Sequence, residues 1–211
     1  VPKNKYIRQL IAQGENQHLD FKYEVSDAKK LARTFSAFAN TGGGTLLIGV
    51  KDNGVIRGIE IEEEAYMLEA AATFYCKPKV PYKLKDWHVD GKELLEVTIE
   101  ESSDKPHLAP WKDKLWRAFV RVKDENFVAN AIQVAVWKNK NREKGTLIKY
   151  NDIEKELLVH LRQHGEITVR EFCQVCRIRY PLAKKILVNL ISIGVLYIHY
   201  NESVASYRLA Q

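Results

Sequence analysis

The chain predicts a mixed α/β (α+β) fold in two domains: a mixed-sheet domain over residues 1–138 and a small helical one over 150–211, joined by a linker at 139–149. Three observations point there. Amphipathic segments of helix length alternate with apolar runs of strand length through the first two-thirds of the chain. A polar run, Asn139–Lys149, then interrupts the pattern. Beyond it, three short helical segments and a hairpin follow within about 60 residues, near the lower end of independent domain size.

Tyr6, Ile7, Leu10 and Ile11 recur at helical spacing over 4–13, and Gly14 is a natural stop. His18–Tyr23 has the length of a strand. Ser26 or Asp27 caps a helix over 27–39, whose Ala28, Leu31, Ala32, Phe35, Phe38 and Ala39 form one apolar stripe. Thr41-Gly-Gly-Gly44 breaks that helix, and Thr45–Val50 is an apolar, central strand. Asp52-Asn-Gly54 turns it into a hairpin with Val55–Gly58. A second amphipathic helix is expected over Glu62–Tyr75. Strands over Pro78–Val89, Glu93–Ile99 and Leu115–Val122 follow, the first two joined by an Asp90-Gly91 turn, while 101–114 reads as a proline-broken loop. Ala129–Trp137 is short helix or strand and closes the first domain.

In the tail, Asn151 or Asp152 caps a helix that Gly165 ends, and Thr168 caps a second over Val169–Cys176. Pro181 lies in the first turn of a third helix, Leu182–Ile193, where proline is tolerated. Val195–Tyr200 and Ala205–Leu209 form a β-hairpin tipped by Asn201-Glu202-Ser203. Helices and hairpin in this order resemble a winged helix-turn-helix.

Composition narrows the function classes. Of 211 residues, 45% are hydrophobic and 28% charged, which excludes a disordered chain. No apolar run approaches the length of a membrane helix, and the polar start Val1-Pro-Lys-Asn-Lys lacks the character of a secretory signal, so no membrane partner is expected. Three cysteines cannot make a disulfide framework, which fits a cytoplasmic location. The net charge of +6 divides into +4 over residues 1–149 and +2 over 150–211, and a basic balance favours polyanionic partners.

The chemistry-bearing residues gather early. Glu15-Asn-Gln-His-Leu-Asp20-Phe-Lys22, Phe35-Ser-Ala-Phe-Ala-Asn40-Thr-Gly-Gly-Gly44 and Leu46-Leu-Ile-Gly-Val-Lys-Asp52-Asn-Gly54 set three carboxylates, a lysine and a glycine loop around two apolar strands. Carboxylate oxygens suit magnesium or manganese, and such ions can stabilise a phosphodiester displacement. Lys22, two residues after Asp20 on a strand, shares its face and could neutralise a phosphate. The plainer alternative is a surface Asp20–Lys22 ion pair and an Asp52 that only shapes its turn. Gly42–Gly44 lacks the lysine and hydroxyl of a phosphate-binding P-loop and follows a helix instead of opening one, so no ATP is expected.

This pattern resembles the Schlafen-type AlbA-like domain. Lys105-Pro106 and Ala118-Phe119-Val120-Arg121-Val122 also resemble its downstream strand motif, and the likeness spans roughly residues 8–137. The resemblance implies nucleic-acid binding, with Lys22 and Arg121 on the nucleic acid. In some members it implies metal-dependent cleavage of structured RNA by three carboxylates, which match Glu15, Asp20 and Asp52 here. Asp20 stands where glutamate is usual. Bacterial members that are regulators often carry a winged-helix tail.

Within the tail, Arg177, Arg179, Tyr180, Lys184 and Lys185 lead into the third helix, a basic and aromatic group suited to phosphates and base edges of duplex DNA. Cys173-x-x-Cys176 offers too few ligands for a closed zinc site and reads as core packing. Trp87, Trp111, Trp116 and Trp137 are core residues or stacking platforms; core is favoured, and Trp111 is the least committed. The leading expectation is a DNA-binding transcriptional regulator. The alternatives are a metal-dependent endoribonuclease using Glu15, Asp20, Asp52 and Lys22 with Mg²⁺ or Mn²⁺, and a winged-helix interaction protein that forms a homodimer.

Overall fold

A computed structural model describes residues 3–112, 114–140, 151–201 and 204–210. The chain divides into two compact units between Ala129 and Asn130. Among the described residues, no helix is long and apolar enough to cross a membrane.

In the first unit, helix α1 (Lys3–Gln13) ends at Gly14, whose φ of +68° is cheap only for glycine. Strand β1 (Leu19–Lys22) and strand β2 (Gly44–Ile48) pair in parallel, with Asp20 opposite Leu46. Parallel pairing demands a crossover, and helix α2 (Ala28–Asn40) supplies it. The Asp27 carboxylate caps α2 by accepting from the backbone N–H groups of Lys29 and Lys30. Helix α3 (Ile61–Glu69) passes into a π-turn at Ala70–Phe74, then strands β3 (Lys83–Val89) and β4 (Lys92–Ile99) follow. Their hairpin turns at Asp90 and Gly91, both with positive φ. The four-stranded sheet runs β1-β2-β4-β3.

A second antiparallel sheet, β5-β6-β7, is built from β5 (Leu108–Pro110), β6 (Trp116–Val122) and β7 (Glu125–Val128). Helix α2 lies between the two sheets: its Phe35, Phe38 and alanines share one core with Leu46, Ile48, Leu95, Val97 and Ile99 on one side and Ala109 and Phe119 on the other. Ala32, Ser36, Ala37 and Ala39 keep the helix thin enough for both sheets to approach. Phe35 and Phe38 are fully buried, each contributing roughly 1.5–3 kcal/mol of apolar burial. Leu19, Phe21 and Leu47 alternate to the opposite face of the four-stranded sheet, where they pack with Ile7 of α1 and with Trp87 and Leu94.

The second unit begins with helix α4 (Ala131–Lys140), capped by Asn130, whose Oδ1 accepts from Ile132 N and Gln133 N. Helix α5 (Asp152–His164), strand β8 (Glu166–Thr168), helix α6 (Val169–Val175), helix α7 (Tyr180–Ser192) and strands β9 (Leu196–Asn201) and β10 (Val204–Leu209) complete it. The sheet order is β8-β10-β9. Capping boxes start two helices, Asn151 with Glu154 and Thr168 with Glu171. Phe172, Leu187, Leu161, Ile167 and Tyr207 form the core, joined by Ile132 and Val136 of α4.

Several expectations shift. The expected short helix or strand over 129–137 is the helix Ala131–Lys140, whose Ile132 and Val136 pack in the second unit's core. The expected linker mostly lies outside the described residues, as do Glu202 and Ser203 at the hairpin tip. Val55–Gly58 makes only an isolated bridge between Val50 and Ile56, and 78–82 is not strand. The 101–114 loop carries β5, and strands β7 and β8 were not anticipated.

Candidate nucleic-acid interface

Strand alternation explains what Asp20 does. Leu19 and Phe21 face the α1 side, so Asp20 and Lys22 project toward α2 and the second sheet. Asp20 is only 3% exposed. Its Oδ1 accepts from Arg121 Nη2 at 3.0 Å, and Lys22 Nζ stands 2.9 Å from Oδ2 as an ion pair while donating to Phe21 O at 2.6 Å. Lys22 therefore sits at the rim of a buried charge, with more than a third of its side chain in solvent.

Arg121 is 2% exposed and spends its guanidinium inside the protein. Nη2 also donates to Asn16 O and Leu19 O, Nε to Asn16 O, and Nη1 to Asn126 Oδ1, while the plane stacks 5.3 Å from the Phe38 ring. The expectation that Arg121 presents itself to a phosphate is corrected: it bolts β1 and the preceding loop to β6. Gln17 strengthens that join, its Nε2 donating to Arg121 O and its Oε1 accepting from Lys123 N.

Glu15 is half-buried in the loop before β1, where its Oε1 accepts from Phe21 N at 2.9 Å. Burial holds its carboxyl above the usual glutamate range; the Phe21 N–H opposes this, the adjacent Asp20 adds to it, and Lys22 opposes it. A raised folded-state pKa means that Glu15 favours folding below about pH 4 and loses that contribution as pH rises through its folded value. Glu15→Gln mimics the protonated form and keeps the acceptor for Phe21 N. Its urea midpoint is expected to exceed the wild type's at pH 7 and to converge with it near pH 4. A lower midpoint at pH 7 would contradict this account.

Asp52 is exposed in a turn closed by Gly54 N donating to Lys51 O at 2.7 Å, and Asn53 Oδ1 accepts from Val55 N. Among the described residues, no three His, Cys, Asp or Glu side chains form a group able to hold a metal ion. The structure thus brings Glu15, Asp20, Lys22 and Arg121 together and does not assemble Glu15, Asp20 and Asp52 as ligands. This arrangement does not fit a divalent ion, because a metal at Asp20 would have to displace a guanidinium and an ammonium.

The rest of the motif is structural. Ser36 Oγ donates to His107 O and accepts from Phe119 N, while Asn40 spans His107 and Phe119. Gly43 (φ +72°) has Ile99 O and Glu101 N within 3 Å of where a Cβ would sit, so the glycine turn serves close backbone approach. His18 Nδ1 lies 2.9 Å from Gly43 O, closing the loop over β1.

In the second unit, α6 and α7 are joined by a turn in which Arg177 adopts φ +52°, a conformation that costs a non-glycine residue roughly 1–2 kcal/mol. Arg179 is the N-cap residue of α7 and Pro181 occupies its first turn. Arg177, Arg179, Tyr180 and Lys185 are exposed, Lys184 is half-buried, and among the described residues no carboxylate pairs with any of these four cations. Cys173 and Cys176 pack against the unit's core, and burial followed by the nearby Glu156 pushes the Cys176 thiol up to about 12.

The family described as Schlafen, AlbA_2 matches residues 15–130, more than half of the chain. No protein of curated function matches. Among solved structures, the DIP2311 protein from Corynebacterium diphtheriae is similar at 18% identity with a TM-score of 0.48, over 76% of this chain and 38% of that one. This chain therefore spans well under half of that protein.

Proposed function

Because the chain belongs to the Schlafen, AlbA_2 family, we propose that it is a nucleic-acid-binding protein whose second unit grips duplex DNA, and that it acts as a transcriptional regulator. The single observation that carries this reading is the basic group leading into α7, exposed at Arg177, Arg179 and Lys185 and, among the described residues, paired with no carboxylate. The element order α5-β8-α6-α7-β9-β10 supports it, since helix, strand, helix, helix and hairpin follow as in a winged helix-turn-helix. In such a module the second helix of the turn enters the major groove with its N-terminal residues on base edges. Arg179, Tyr180 and Lys185 occupy that end, and Arg177 sits in the preceding turn. An arginine kept where glycine would relieve strain supports a role outside folding.

Arg179→Ala combined with Lys185→Ala is expected to weaken duplex DNA binding by about tenfold or more and to lower the slope of log K against log salt by about two. Fluorescence anisotropy over a salt series measures both. Unchanged affinity and slope would remove the second unit from duplex binding.

A further inference from the structure

The first unit carries a basic and aromatic surface that its core does not require. Trp87 and Trp137 are buried, and Trp111 packs against the α2 core. Trp116 belongs to none of the three hydrophobic cores and is only partly buried on β6. An ammonium lies over its ring: Lys77 Nζ is 4.1 Å from the ring centroid. Large aromatic rings are normally spent in a core, so one outside every core with a lysine over its ring is informative.

The surroundings extend the pattern through hydrogen bonds. Lys77 pairs by its backbone with Leu108 of β5, and Pro110 stands opposite Trp116 in the β5–β6 register. Arg33 of α2 donates to Pro110 O and stacks 5.0 Å from the Trp111 ring. Trp111 N donates to Leu115 O, which closes the hairpin and holds Lys112 and Lys114 at its exposed tip, with Arg117 exposed just beyond. Among the described residues, none of these cations is paired with a carboxylate. Asp113, between the two lysines, lies outside the described residues.

We infer that the β5–β6 hairpin with Lys77 and Arg33 is a second nucleic-acid surface, one that takes a single strand. Lysines and arginine supply phosphate contacts, and Trp116 supplies a face on which an unstacked base replaces the Lys77 ammonium, which moves to the adjoining phosphate. A duplex keeps its bases stacked and offers no partner to that ring, whereas single strands bind through such aromatic platforms flanked by cations. This surface lies in a different unit from the duplex-binding α7 and stands independently of it.

The test uses the full chain with labelled oligo(dT) and oligo(U), read by anisotropy and by quenching of tryptophan fluorescence. Trp116→Ala is expected to lose about tenfold or more in single-strand affinity, with Trp116→Phe recovering part of it. Lys77→Ala is expected to reduce the salt slope by about one. The tighter of the two oligomers identifies the natural strand as DNA or RNA. Arg179→Ala with Lys185→Ala is expected to leave oligonucleotide binding intact, and Trp116→Ala to leave duplex binding intact. Equal single-strand affinity in Trp116→Ala and wild type, or displacement of the oligomer by poly-glutamate as readily as by unlabelled strand, would overturn the inference. Should Trp116→Ala fail to fold, absence of quenching in the wild type, or quenching that persists undiminished in Trp116→Phe, would overturn it equally.

Discussion

Arg121→Met is expected to destabilise the first unit by about 3–5 kcal/mol, the usual cost of removing one partner from a buried ion pair. Asp20, 3% exposed, would keep only Lys22 as a cation, and the carbonyls of Asn16 and Leu19 would lose the guanidinium and keep only their backbone N–H partners. For a unit of this size the melting point should fall on the order of 10–20 °C. Hydrogen exchange at the amides of β1 and β6 should accelerate first, because the guanidinium is what joins those strands. Asp20→Leu added to Arg121→Met is expected to recover part of the loss, since two apolar groups replace a pair that burial had made costly. A single-mutant loss below about 1 kcal/mol would mean that the charge is solvated in a way that this geometry does not allow.

The same residue shows how far the sequence could be read. The family resemblance places Arg121 on the nucleic acid. Strand periodicity already argued otherwise, because Phe119 and Arg121 share a face and Phe119 is a core residue. The same rule places Asp20 opposite Leu19 and Phe21, pointing toward α2. The signals were present and the pairing was not, because residues 20 and 121 meet only in the folded chain. Elements with a long period or a specific cap were legible: the α2 stripe, the Asp27, Asn151 and Thr168 caps, and the Asp90-Gly91 turn. Strands β5, β7 and β8 have only three or four residues, too few for alternation to register. Ile132 and Val136 make an apolar pair that would suit any core, so the allegiance of α4 is a tertiary fact. For Trp116, as for the other tryptophans, the sequence leaves core or stacking platform open with core favoured, because composition cannot tell a ring inside a core from one outside every core.

Asn40→Ala is expected to cost about 3–5 kcal/mol, although alanine is the better helix former by about 0.7 kcal/mol at most. Asn40 is 3% exposed near the end of α2. Its Oδ1 accepts from His107 N at 2.9 Å, and its Nδ2 donates to His107 O at 2.9 Å, Phe119 O at 3.0 Å and Ser36 Oγ at 3.2 Å. Alanine would leave the His107 N–H and the Phe119 carbonyl buried without these partners, and each unsatisfied group costs about 1–3 kcal/mol before the cavity is counted. Ser36→Ala should cost less, because Asn40 still donates to His107 O. Asn40→Asp separates the two halves of the amide. It keeps the acceptor for His107 N but points an ionised carboxylate at the Phe119 and His107 carbonyls, which raises its pKa in the folded state. Its deficit should therefore shrink as pH falls through that raised value toward about 4, where the protonated acid can donate again. Urea unfolding at pH 7 and pH 4 measures both effects, and an Asn40→Asp deficit independent of pH would show that the amide's donors contribute nothing to joining α2 to the second sheet.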